Sequence, residues 1–153
     1  MNETKWIRYN LWLLLIIIPL SLVGYWFAVN KESLFYLYEW SVYLILLASI
    51  IVAFVGIVKV KSDVKWVSFS ILAFLLQFVV LCLFLGPLSF SGLFYVFYIL
   101  AIIALATYII VIKKTKKYRL LSIIFFILTV MFILYMIILH SLWGNDLSFI
   151  TLL

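Results

Sequence analysis

Residues 92–140 read GLFYVFYILAIIALATYIIVIKKTKKYRLLSIIFFILTVMFILYMIILH. Two apolar runs, 92–112 and 120–140, flank a turn that carries five basic residues: Lys113, Lys114, Lys116, Lys117 and Arg119. A helix needs about 20 residues to cross a hydrocarbon core, and each run has that length. Lipid offers no partners to open backbone groups, so segments that cross it must be helices or close into a barrel. The passage predicts a helical hairpin with a basic turn.

The same pattern extends toward the N-terminus. Further apolar runs cover 11–29, 40–58 and 66–85, and the helix of the second can begin earlier, near Leu34. Five spans are too few for a barrel, so the expected class is all-α: one polytopic bundle of five transmembrane helices forming a single domain over 1–153. Ten of the eleven Lys and Arg fall in three places: Lys5 and Arg8; Lys59, Lys61 and Lys65; and the five of the turn already quoted. Lys31 is the exception. Basic loops resist translocation. The N-terminus and the turns 59–65 and 113–119 are therefore expected in the cytoplasm, and the loops 30–39 and 86–91 and the C-terminal tail outside.

Composition excludes a soluble domain. The chain is 70% hydrophobic and 10% charged, against about 45–50% apolar and about 25% charged in soluble proteins. The net charge of +6 does not point to nucleic acid, because the basic residues sit in short turns beside apolar spans. Their expected partner is the lipid bilayer with its anionic inner leaflet, at about 1 kcal/mol per basic residue near the surface. Lys59, Lys61, Lys65, Lys113, Lys114, Lys116, Lys117 and Arg119 then act as topology determinants, and the denser second cluster can also hold a lipid headgroup. Abundant Ile, Leu, Phe, Lys and Tyr with little Ala or Gly fit an AT-rich bacterial genome and a cytoplasmic-membrane protein. The first span begins like a signal peptide, but Gly24-Tyr25-Trp26 is too bulky for a small-residue cleavage site, which makes it an uncleaved anchor.

Several local features carry expectations of their own. The aromatic stretch 31–39 suits a short interfacial helix, and Pro87 between Gly86 and Gly92 suits a tight hairpin. The tail from Ser141 is too short for another span and is expected to fold back on the outer surface. Small residues mark packing faces: Ser21, Gly24 and Ala28; Ser49, Ala53 and Gly56; Ser70 and Ala73; Ala101 and Ala104. Pro19 should bend the first span. Gln77 is too polar to face lipid and is expected to turn inward, toward Thr129, Thr107 or a backbone carbonyl. Cys82 reads as a small buried hydrophobe. No internal repeat is visible in the sequence.

Chemistry is sparsely signalled. No ionisable residue lies deep in a span, which argues against a proton relay, pump or voltage sensor. One histidine and one cysteine give no metal set, and neither a metal nor another cofactor is expected. Glu32, Glu39, His140 and Asp146 fall on the outer side. If the second and fifth spans adjoin, Glu39 could orient His140 as an acid or base. The first functional expectation is a non-enzymatic membrane protein acting through membrane or outer-face contacts. It would be an accessory subunit of a transporter or sensor, or a self-protection protein of the immunity type, with a membrane-protein partner or a homo-oligomer. The alternative is a membrane enzyme using Glu39 and His140 on a lipid or cell-wall precursor. A third is an oligomeric transporter or channel.

Overall fold

A computed structural model describes residues 4–85, 88 and 90–150, apart from the side chains of Ser21 and of residues 143–150. The described chain is helical: α1 (Thr4–Asn30), a single 3-10 turn (Glu32–Leu34), α2 (Phe35–Lys59), α3 (Lys65–Leu85), α4 (Gly92–Lys114) and α5 (Arg119–Ile150). All five α-helices are long and apolar enough to cross a membrane. The chain divides into two compact units, Met1–Leu75 and Leu76–Leu153, and the boundary falls within α3.

In the first unit α1 packs on α2. α1 stays helical through Pro19, although the missing proline N–H leaves the Leu15 carbonyl without its intrahelical donor. Near the end of α1 a Cβ on Gly24 would lie 2.5 Å from the Tyr38 ring of α2, so a larger residue there would have to displace that ring. α2 buries Leu46, Ser49, Ala53 and Gly56, a stripe at alternating spacings of three and four that stays on one helix face. At its far end a Cβ on Gly56 would meet Ser68 Oγ of α3 at 2.6 Å and Trp6 Cβ of α1 at 3.6 Å. Lys59, one turn on, lies over the Trp6 ring, 5.4 Å from its centroid.

In the second unit α4 packs on α5. A core of Val80, Leu81 and Phe84 from α3, Leu93, Phe94, Phe97 and Ala101 from α4 and Met136 from α5 fills the space between them. Rings interlock across it: Phe84 on Phe94 at 4.5 Å and Phe78 stacked on Phe132 at 6.0 Å between centroids.

The two units repeat one burial register. The buried positions 46, 49, 53, 56 and 60 recur as 101, 104, 108, 111 and 115. Each stripe ends on an extended residue whose N–H closes the helix: Val60 to Gly56 at 3.0 Å and Thr115 to Val111 at 2.9 Å. After a short turn the next helix buries Ser68, Ile71 and Leu75 in the first unit and Ser122, Phe125 and Thr129 in the second. The sequence hides this repeat because the paired residues differ, Ser49 against Ala104 and Gly56 against Val111 among them.

Three local expectations are corrected. The stretch 31–39 forms no separate interfacial helix: α1 runs to Asn30 and α2 begins at Phe35, with only the 3-10 turn between them. The Leu34 N–H to Lys31 carbonyl bond of 2.9 Å closes that turn, and the aromatic residues join the first turns of α2. The tail does not fold back; α5 continues unbroken to Ile150, since nothing between His140 and Ile150 breaks a helix as proline would. Ala28 is exposed, whereas Gly24, Ser49, Ala53, Gly56, Ser70, Ala73, Ala101 and Ala104 are buried. Ser21, and the Gly86, Pro87 and Ser89 of the expected hairpin, fall outside the description.

Candidate functional site

The second unit holds a buried polar chain. Thr129 Oγ1 of α5 donates to Gln77 Oε1 of α3 at 2.8 Å, and Tyr108 OH of α4 lies 3.3 Å from the same Thr129 oxygen. All three residues are fully buried. Once the threonine proton is committed to Gln77, the tyrosine must donate to the threonine. The chain therefore runs Tyr108 to Thr129 to Gln77 and ties three helices together. Gln77 Nε2 has no partner. Thr129 is thus the partner Gln77 takes among those expected, while Thr107 donates to the Ala104 carbonyl of its own helix at 2.7 Å.

A second polar contact lies in the first unit. Asn10 Nδ2 of α1 donates to the Ser49 carbonyl of α2 at 3.1 Å, and both residues are buried. Asn10 Oδ1 and Ser49 Oγ remain without partners. Sequence reasoning missed this contact: Asn10 stands one residue before the apolar run that marked the first span. α1 begins at Thr4, so Asn10 lies in its second turn and faces α2.

His140 ends in an aromatic setting supplied by α4. Its ring stacks on Phe94 with centroids 4.4 Å apart and planes 13° apart. Tyr95 approaches edge-on at 6.3 Å between centroids, and Tyr98 lies tilted at 6.1 Å, its plane 33° from the imidazole. Stacking of this kind fixes the ring by packing. Glu39 is exposed on α2, in the first unit, and His140 half-buried on α5, in the second. Asp146 lies outside the described side chains. Among the described residues no group of three or more His, Cys, Asp or Glu could hold a metal.

The basic residues occupy the two turns that share a register. Lys59, Lys61 and Lys65 bracket the first, Lys113, Lys114, Lys116, Lys117 and Arg119 the second, and all but the half-buried Lys65 are exposed. The first turn closes through Lys65 N–H to the Ser62 carbonyl at 3.0 Å and the second through Arg119 N–H to the Lys116 carbonyl at 3.5 Å. Lys117 Nζ lies 5.6 Å from the centroid of the Tyr118 ring.

The arrangement offers hydroxyls and amides inside and cations at two turns. None of the described Asp, Glu, Lys, Arg or His residues is buried. No protein-family model matches this chain, and no curated protein or solved structure matches it.

Proposed function

We propose that this chain is a multi-pass protein of a bacterial cytoplasmic membrane, N-terminus inside and C-terminus outside. It works without catalysis, through contacts of its helices and outer end with another membrane protein, as an accessory subunit or a self-protection protein. The single observation that carries this reading is how side chains are allotted. Large apolar residues are turned outward on every helix, Trp12, Leu22, Tyr25 and Trp26 of α1 among them, while the buried polar groups are neutral hydroxyls and amides. Such groups bind helices to one another in lipid; relays and ion pathways use buried ionisable groups. α1 leaves most of its surface uncovered, a face that lipid or a partner helix can take.

The test is affinity purification of the tagged chain from its native membrane in mild detergent, with mass spectrometry of what accompanies it. A stoichiometric membrane partner supports the reading, and Glu39→Ala and His140→Ala should then each retain that partner. Recovery of the chain alone, together with loss of its cellular effect in either variant at normal protein level, would overturn it in favour of catalysis.

A further inference from the structure

We propose that the turn joining α4 to α5 recruits an anionic phospholipid headgroup from the cytoplasmic leaflet, and that the turn joining α2 to α3 does not. This rests on the proposed topology, which places both turns at that leaflet. The two turns share a backbone plan: an extended, buried cap residue whose N–H bonds four residues back, then a short bend, then a new helix. Set in register from the start of the following helix, Ser62 and Asp63 correspond to Lys116 and Lys117, and Lys65 corresponds to Arg119.

The charge differs where the backbones agree. The first turn carries its own anion: Asp63 stands just before α3, and its carbonyl accepts from Trp66 N–H at 3.2 Å. A carboxylate beside a helix N-terminus is favourable, and a cation there is not. The second turn has no such carboxylate. Lys116 and Lys117 precede α5, Arg119 is its first residue, and no acidic residue occupies its first turn. Lys113 adds to the same end from the last turn of α4. Lys113, Lys116, Lys117 and Arg119, four cations, therefore crowd a helix end that itself favours negative charge. A phosphodiester from outside the chain supplies what Asp63 supplies in the first turn: it neutralises the cations and sits at the positive end of α5.

The experiment uses the full chain in nanodiscs of phosphatidylcholine with phosphatidylglycerol, followed by mild extraction and mass-spectrometric counting of the lipids retained. The native chain should retain phosphatidylglycerol in excess of its share. Lys116→Gln/Lys117→Gln/Arg119→Gln should lower that excess at least about tenfold, and by clearly more than Lys59→Gln/Lys61→Gln/Lys65→Gln, which removes as many charges. Ser62→Lys/Asp63→Lys should raise it, giving a gain that poor folding cannot mimic. Equal loss in both triple variants, no excess in the native chain, or no gain in the double variant would overturn the proposal. Both leaflets of the disc present the anionic lipid, so an inverted topology leaves the excess intact and is detected separately by side-specific labelling.

Discussion

Gln77 engages one atom of its amide and keeps the other bare. Burying an amide nitrogen without a partner costs about 1–3 kcal/mol, so the side chain holds α3 to α5 at a loss at one end and a gain at the other. The two ends of the bond are therefore unequal under mutation. Thr129→Val strips Gln77 of its hydrogen-bond partner and orphans the Tyr108 hydroxyl as well; it should destabilise by about 1–3 kcal/mol. Gln77→Leu removes the bare nitrogen too, and the Thr129 hydroxyl can turn back to the carbonyl four residues earlier. Its cost should stay below about 1 kcal/mol, and reversible unfolding of the two variants in mixed micelles checks the order. Gln77 was legible in the sequence because an amide inside an apolar run has few places to go. Asn10 was not, because it stands at the polar edge of its run and its partner is a backbone carbonyl, a group every residue carries.

At the scale of elements, contact distance decides what each helix face tolerates. Gly56 of α2 faces Ser68 of α3 with no room for a methyl group. Gly56→Ala should cost about 1–3 kcal/mol as overpacking, and Ser68→Ala should return part of it. A double-mutant cycle measures that coupling directly, and additive losses would mean the two residues do not press on each other. The existence of the helices was legible from run length alone, and so were most of their small-residue faces. The start of α1 and the end of α5 were not. Hydropathy reports where side chains turn polar, whereas a helix stops only where its backbone hydrogen bonding stops. Thr4 to Asn10 and the stretch beyond His140 are polar enough to end an apolar run, yet both stay helical.

At the scale of the molecule, the placement of charge against apolar length remains the strongest organising fact, and the orientation proposed from it is open to a direct check. With Cys82 replaced by Ala, single cysteines at Lys61 and Lys116 should react with an impermeant maleimide only after the membrane is opened, and one at Ser91 in intact cells. Reaction of Lys61 and Lys116 from opposite sides would break the scheme. The pairing of Glu39 with His140 shows where sequence reading stops. It placed both at helix ends on one side, but what surrounds His140, the Phe94, Tyr95 and Tyr98 ridge of α4, depends on helix rotation, which no spacing between distant residues encodes. The repeated register of α2 and α4 has a consequence of its own. Spacings of three and four that alternate average 3.5 residues per turn, just under the 3.6 of a straight helix. Such a seam drifts off its neighbour unless the helices wind around each other with a left-handed twist, crossing at about 20°. The seam then works as gear teeth do. One residue inserted after Ser49 would turn Ala53, Gly56 and Val60 away by about 100°, and an insertion of seven would restore the mesh.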